Sequence, residues 1–470
     1  MSETLHTKVL IIGGGPGGYV AGIRCGQLGL DTVLVEGDRV GGTCLIRGCI
    51  PSKAIIHSAG QFEDMAHAAS KGLHGIKLKT APELDFAGMV KWKEGIVDRL
   101  NNGVAALLKR AKVKVIAGWG TFSDAKTCVV KTKDGDVTIQ AEHVILATGS
   151  KSVELPFLKF GGNVISSTEA LSLSELPKKL VVVGAGYIGL ELGIAFRKFG
   201  SEVTVVEALD RILPLYDAQL VAPVAKWLEK NGVTLHLGAK AKGLGKDGKS
   251  LSVETKDGKT IELPADKILV TVGRKPNTEG WGLENMAVDL AKETGSRFVK
   301  VDRRCHTSMK NVWAVGDLVG EPMLEHKAAA QGDMVAEIIA GHAREYNREY
   351  IPAVCFTEPE IISAGMSPHE ANAEETITAM FPFAANGRAL SMDAGDNGGF
   401  VRVIARKDNH RILGIQAVGA HASELSGEFS LALEMGAVLE DIAGTIHVHP
   451  TLTEAFHEAA LRALGHAIHI

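Results

Sequence analysis

One repeat constrains this chain more than any other feature. "KVLIIGGGPGGYVAGIRCGQLGLDTVLVEGDR", from Lys8, and "KLVVVGAGYIGLELGIAFRKFGSEVTVVEALDR", from Lys179, align with one constant offset. Gly13, Gly15 and Gly18 fall on Gly184, Gly186 and Gly189; Gly22 falls on Gly193, Gly29 on Gly200 and Glu36 on Glu207. Each copy reads as an apolar strand, a G-x-G-x-x-G turn, a helix, a glycine stop and a second strand ending in glutamate. A lone glycine-rich turn says little. A turn that follows a strand, opens a helix and meets an acidic residue at this distance is a dinucleotide fingerprint. Gly13 and Gly184 permit the tight turn. Gly15 and Gly186 let the backbone approach a pyrophosphate, and Gly18 and Gly189 let helix pack on strand. The pyrophosphate then sits at a helix N-terminus, where free N–H groups and the dipole favour negative charge. Glu36 and Glu207 are placed to accept hydrogen bonds from ribose hydroxyls. At Glu207 a carboxylate suits a free 2′-hydroxyl and repels a 2′-phosphate, which predicts NAD rather than NADP. The bland alternative is a pair of α/β crossovers with no ligand.

Each repeat is followed by a long excursion and a returning strand, "HVILATGS" (143–150) and "KILVTVGRKPN" (267–277). From about residue 350 the texture changes to alternating strands, "FVRVIARK" and "ILGIQAVG", followed by helices. This predicts a third, α+β domain. Boundaries are expected near 149, 272 and 348, and 470 residues do exceed what one hydrophobic core organises. A formal charge of −4 gives no footprint for nucleic acid or an anionic membrane. No run reaches the roughly 18–20 apolar residues of a membrane span. The chain enters its first strand without a basic, apolar and small-residue leader, so a reducing, cytoplasmic setting is expected. In such a setting a close cysteine pair is more often catalytic or metal-binding than structural. Of six cysteines, only Cys44 and Cys49, in "GGTCLIRGCIPSKA", lie close together. With no second pair, a four-thiolate zinc site has little support, and no metal is expected.

"GGTCLIRGCIPSK", both fingerprints, "ATGS", "VGRKPN", "AVGD" and "HPTLTE" occur in the order seen in the pyridine nucleotide-disulfide oxidoreductases. The chain resembles that family over essentially its whole length, and within it most closely the dihydrolipoamide dehydrogenases. The resemblance implies an α/β fold: two Rossmann-like dinucleotide-binding domains plus a C-terminal α+β dimerisation domain. It implies an FAD domain in two parts (1–149 and 273–347), an NAD domain (150–272) and an interface domain (348–470). One FAD per subunit would lie on the first repeat and NAD+/NADH on the second. The reaction implied is oxidation of dihydrolipoamide, free or on a lipoylated protein domain, by a homodimer serving a 2-oxo acid dehydrogenase or glycine cleavage complex. Further flavin contacts are implied at Gly118, Thr148, Asp317, Met323 and His326, and further NAD contacts at Gly273 and Arg274. Without the resemblance, Asp317 would be an ordinary turn aspartate.

On a straight helix, residues five apart have Cα atoms about 8–9 Å apart, whereas a disulfide needs about 4.4–6.8 Å. A Cys44–Cys49 bridge therefore requires a distorted segment, for which Gly48 supplies the backbone freedom, and the helix proper is expected near Pro51. By resemblance, Cys44 is the interchange thiol and Cys49 the thiol against the flavin. Lys53 lies near the flavin and pairs with Glu191, and Tyr187 gates the nicotinamide pocket. The plain readings are a solvated lysine and a core tyrosine at a domain seam.

Near the end, Thr451-x-x-Glu454 reads as a capping box opening a helix that buries Leu452, Phe456, Ala459 and Ala463. Glu454 thus has a structural explanation, and it could also orient His449. An isolated histidine is commonly structural. The resemblance makes His449 the base for the substrate thiol, supplied by the partner subunit. His447 is its rival in "HVHP", while His457, His466 and His469 read as surface or interface residues. Two departures stand out. Ile46-Arg47 replaces the family's usual Asn-Val, adding a positive charge that would favour thiolate. Glu325 replaces a common alanine, so this carboxylate is expected to find a partner or face solvent. Rival readings are a glutathione- or mercuric-reductase-like enzyme, a non-catalytic docking subunit, and a metal sensor.

Overall fold

The computed structural model describes residues 4–291, 297–346 and 350–470. Three units follow from the three largest sheets among the described residues. In the first, Val9, Leu10 and Ile11 are fully buried in the strand Thr4–Ile12, with Val9 and Ile11 against helix residues such as Ala21 and Leu108 and Leu10 against Phe122, Val130 and Trp281 on the other face. That strand pairs in parallel with Thr32–Glu36 on one side and Gly135–Leu146 on the other. Lys114–Ala117 extends the sheet beyond Thr32–Glu36, and Val312–Ala314 joins Gly135–Leu146 in parallel. Ile12 stands opposite both Val35 and Leu146, so three strands end level and their turns open on one edge. Ligands bind at that edge in open α/β sheets.

The second unit repeats the plan. Lys179–Val183 lies between Glu202–Glu207 and Lys267–Val270 in a five-stranded parallel sheet, with an antiparallel three-stranded sheet (Lys240–Leu244, Ser250–Glu254, Thr260–Pro264) beside it. Both predicted returning strands, Gly135–Leu146 and Lys267–Val270, do lie beside their fingerprint strands. The chain enters and leaves this unit through one antiparallel ribbon, Ser150–Ser152 against Arg274–Pro276.

The third unit is a five-stranded sheet, with Glu360–Gly365, Ile412–Gly419, Phe400–Arg406 and Thr376–Pro382 adjacent and antiparallel. One face packs on the helices Ser426–Glu434 and Glu454–Ala463, where Phe429 and Phe456 are fully buried with ring centroids 5.1 Å apart. The alternation in "FVRVIARK" does not separate core from solvent, because the second face is covered too. Arg402, 1% exposed, reaches from it to Asp217 and Gln219 of the second unit and to Gln416 beside it, each at 2.9 Å. The boundary expected at 348 lies outside the described residues. Among the described residues, no helix is long and apolar enough to cross a membrane.

A 22-residue helix, Cys49–Ser70, joins first unit to second by packing along Tyr187–Lys198. Ile55, Ala59, Phe86, Phe196 and Phe199 form the seam, all under 9% exposed. Burial of one such large side chain contributes about 1.5–3 kcal/mol. A half-exposed ion pair adds on the order of 1 kcal/mol or less. The apolar seam therefore holds these helices, and the polar groups across it serve to aim one another.

Candidate active site

The two fingerprint turns are built alike. Gly13 has φ +98°, and a Cβ there would stand 2.3 Å from the Ala147 carbonyl oxygen. A Cβ on Gly18 would lie 1.8 Å from the Gly13 oxygen, and one on Gly189 would lie 2.4 Å from the Gly184 oxygen. These glycines therefore seat helix on strand. Gly15 and Gly186 differ, since the nearest foreign atom to a Cβ on Gly15 is 3.9 Å away and Gly186 has none within 4 Å. Both face open space at the start of helices (Pro16–Gln27 and Tyr187–Lys198) that have no side-chain cap and no acidic residue in the first turn. Uncapped helix starts with room before them fit a pyrophosphate.

Glu36 and Glu207 carry a structural duty that sequence reasoning missed. Glu36 accepts the Gly14 N–H at 2.6 Å and the Asp38 N–H at 2.8 Å. Glu207 accepts the Ala185 N–H at 2.7 Å and the Leu209 N–H at 2.8 Å. Each carboxylate braces its turn and keeps further lone pairs for a ribose. Burial raises the Glu36 carboxyl, with the Gly14 N–H and the Arg47 charge pulling the other way.

A cavity of about 560 Å³ runs from the first turn to the cysteine pair. Gly13, Gly15, Glu36, Gly118, Thr148, Asp317 and Met323 line it, as do Cys44, Cys49, Lys53, Tyr187, Glu191 and Arg274. Gly18 is buried beneath the turn. His326 is not among the lining residues; it is exposed and its Nε2 lies 2.8 Å from the Pro352 carbonyl oxygen. Gly184, Gly186 and Gly189 form the second turn with Glu207 bracing it, and these residues and Gly273 stand outside this cavity. Arg274 belongs to the cavity side: its guanidinium donates to Ser150, whose hydroxyl donates to Asp317 at 2.5 Å.

Cys44 and Cys49 are bonded, with Cα atoms 4.7 Å apart. The helix distortion they require is found as a break. Gly42–Arg47 forms one short helix and Gly48 interrupts it. The long helix then begins at Cys49, two residues before the expected Pro51. A Cβ on Gly48 would stand 2.8 Å from the Thr43 oxygen and 3.3 Å from the Cys44 Cα. Cys25, Cys128, Cys305 and Cys355 are buried elsewhere. Burial pushes the thiols of Cys25, Cys128 and Cys355 up to about 12, which keeps them protonated and unreactive.

One turn along the long helix, Lys53 Nζ lies 2.6 Å from Glu191 Oε2 and 4.4 Å from the centre of the Phe356 ring. This is the pair the resemblance implies. The other Glu191 oxygen accepts the Phe356 N–H at 2.9 Å. Tyr187 stands at the lip, its phenol pushed up to about 12 by burial and the nearby Glu191, so it stays neutral. Behind it the Tyr216 phenol is raised, first by burial and then by Cys355 beside it. Tyr216, Cys355 and Phe356 carry no motif, and no local signal in the sequence marks them.

Both departures find partners. Arg47 pairs with Asp38 on the cavity wall. Glu325 is the first residue of the helix Glu325–Ile339, where the free N–H groups and dipole favour a carboxylate.

His449 and Glu454 lie apart from the cavity lining. His449 Nδ1 is 2.9 Å from Glu454 Oε1, and Glu454 Oε2 accepts the Thr451 N–H at 2.8 Å. Only half of the expected capping box forms. Thr451 Oγ donates to the Val448 carbonyl, and the helix starts at Glu454. Burial opposes the Glu454 charge, but the Thr451 N–H and the His449 ring outweigh it and hold the carboxyl below its usual range. His449 is 79% exposed. His447 is its opposite. Its side chain is 7% exposed, with Nε2 2.9 Å from Glu428 and Nδ1 3.0 Å from the Thr445 oxygen. With both nitrogens engaged, His447 has none left to accept a substrate proton. Among the described residues, no group of three or more His, Cys, Asp and Glu side chains is arranged to hold a metal ion.

Residues 7–332 match the family described as pyridine nucleotide-disulphide oxidoreductase, and residues 351–460 match its dimerisation domain. The chain is 57% identical to a dihydrolipoyl dehydrogenase of Pseudomonas aeruginosa over 473 residues, covering 100% of both. It is 44% identical to one from Geobacillus stearothermophilus, covering 99% of this chain and 98% of that one. Among solved structures it resembles LpdA of Mycobacterium tuberculosis, with TM-score 0.88, 28% identity, and 97% and 99% of the two chains covered. It also resembles the HOCl-induced flavoprotein disulfide reductase RclA of Escherichia coli, with TM-score 0.84, 26% identity, and 96% and 99% covered.

Proposed function

The chain belongs to the pyridine nucleotide-disulphide oxidoreductase family, and we propose that within it the chain oxidises dihydrolipoyl groups at the expense of NAD+. One observation carries the reading. A bonded Cys44–Cys49 pair stands in the wall of the cavity that the first dinucleotide turn opens onto. The full-length identity to dihydrolipoyl dehydrogenases selects the substrate.

FAD fits the first turn and its cavity. Gly13, Gly15 and the uncapped helix would hold the pyrophosphate, Glu36 a ribose, and Asp317 the ribityl hydroxyls. Lys53 would stand at the flavin ring. NAD+ fits the second turn through Gly184, Gly186 and Glu207, with Tyr187 between the two ligands. FAD, when bound, carries two electrons from the cysteine pair to NAD+.

The residues do the rest. A substrate thiol is mostly protonated near neutrality, and only the thiolate attacks. His449 of a second copy takes that proton, with Glu454 fixing the ring and favouring imidazolium. The substrate thiolate attacks Cys44 Sγ, the Cys44–Cys49 bond breaks, and Cys49 leaves as thiolate. The second substrate thiol attacks the mixed disulfide, releasing Cys44 as thiol and the lipoyl disulfide as product. Two electrons and two protons leave the substrate dithiol. The Lys53 charge, aimed by Glu191, stabilises negative charge arriving at its end of the cavity. The working unit is a homodimer. Its substrate is the lipoyl arm of a 2-oxo acid dehydrogenase or glycine cleavage complex in the cytoplasm.

Anaerobic mixing with dihydrolipoamide tests this. Two new protein thiols per chain, mapped to Cys44 and Cys49, should appear, and NAD+ should then yield NADH. Equal turnover with NADPH and glutathione disulfide would sink the reading.

A further inference from the structure

Arg47 lies between the two cysteines in sequence, yet its guanidinium pairs with Asp38, two residues after Glu36. All three side chains line the same cavity. We infer that Arg47 is a flavin-retention residue, a cation placed for the phosphates of the dinucleotide rather than for the thiols. The inference rests on the FAD reading above.

Three observations carry it. First, the wall holds two carboxylates, Glu36 and Asp38, close to the turn where a doubly negative pyrophosphate would lie. Like charges disfavour that anion unless a cation offsets them. Second, the other cations of the lining are committed elsewhere. Arg39 is bound to Asp98 and Asn101, Lys53 to Glu191, and Arg274 to Ser150. The Arg47–Asp38 pair is formed through Nη2, and a guanidinium has further N–H donors in a fixed fork. Third, Arg47 ends the short helix that begins at Gly42, and Gly42 abuts the turn itself. A Cβ on Gly42 would stand 2.5 Å from the Gly15 Cα. That helix thus spans from the phosphate turn to the disulfide, with Arg47 anchored back towards the turn.

The test compares Arg47→Val, Arg47→Gln and Arg47→Lys with the wild-type chain. FAD affinity is read by flavin fluorescence on reconstituting the apoprotein, with circular dichroism confirming the fold. Arg47→Val and Arg47→Gln should weaken FAD binding at least tenfold, while Arg47→Lys stays within about threefold of wild type. The pH profile of Cys44 alkylation in the reduced protein should not move. Unchanged FAD affinity in the Val and Gln variants, or an alkylation profile shifted to higher pH without loss of FAD, would overturn the inference. A wild-type chain that takes up no FAD would instead bring down the functional reading, and this inference with it.

Discussion

At the residue scale, the two histidines of "HVHP" separate by what their nitrogens already hold. His447 is saturated and buried, whereas His449 is exposed with Glu454 behind it. His449→Gln should lower dihydrolipoamide oxidation by about 10²–10⁴-fold, the usual worth of a positioned base, while NADH still reduces the flavin. Stopped-flow measurement of the two half-reactions checks this. Glu454 adds a pH signature. Its carboxyl is lower in the fold than when free, so its stabilising contribution is complete above the ordinary carboxylate range and is lost as pH falls through the depressed value. Thermal melts from about pH 7 to pH 3 should therefore fall less steeply for Glu454→Gln than for wild type, the two curves standing apart near neutrality and converging at the acid end. A parallel pair of curves would contradict it. Cys44, Cys49, Lys53 and His449 were legible in the sequence because each lies in a short motif of fixed spacing. Tyr216, Cys355 and Phe356 were not, because the fold brings them to Glu191 from distant segments. The direction of Arg47 was also hidden. Sequence placed its charge between the thiols, and the structure turns it towards Asp38.

At the scale of elements, two glycines make opposite predictions from the same measurement. A Cβ on Gly48 would meet the backbone of the short helix, at the Thr43 oxygen and the Cys44 Cα. Gly48→Ala should force the short helix away from the long one and make the disulfide easier to reduce, as titration against a glutathione redox buffer would show. Gly186 has open space and an ordinary φ of −75°. Gly186→Ala should leave the melting temperature within about 1 °C of wild type, roughly what a 1 kcal/mol change would produce in a chain of this length. It should still raise KM for NAD+ at least tenfold, because the methyl stands where the pyrophosphate must approach. The turns were readable because steric need fixes glycine in them. Helix starts were less so. The long helix begins at Cys49 rather than Pro51, and the last one at Glu454 rather than Thr451. In both cases the side-chain rule was partly met, and other local contacts lie at the start: the Cys44–Cys49 bond in one, and the Thr451 and His449 bonds to Glu454 in the other.

At the scale of the molecule, the C-terminal unit displays Leu431, Met435, Ile446 and Val448, each more than 60% exposed, and His449 follows directly on Val448. This sets His449, the proposed base, beside exposed apolar side chains of the dimerisation domain, surface of the kind a second copy covers. Complementation makes the arrangement measurable. Inactive Cys44→Ser and His449→Gln chains, mixed and allowed to exchange, should recover about a quarter of wild-type activity. Half the dimers are then mixed, and each mixed dimer has one intact pairing of cysteine and histidine. No recovery would mean that each chain uses its own histidine. Three units were legible because the repeat and the change of texture near 350 mark them. The way Arg402 and Asp217 lock the third unit to the second was not, because neither residue belongs to a motif. The ribbon at Ser150–Ser152 and Arg274–Pro276 has a consequence for the chain's ancestry. Directly paired antiparallel residues lie only about 5 Å apart, so the point of departure from the first unit and the point of return are neighbours. A second copy of the fingerprint unit can be spliced in there, or cut out and closed with a tight turn, without rethreading a single strand of the first sheet. Such a join is where duplication of one ancestral nucleotide-binding segment yields a two-nucleotide protein in one step.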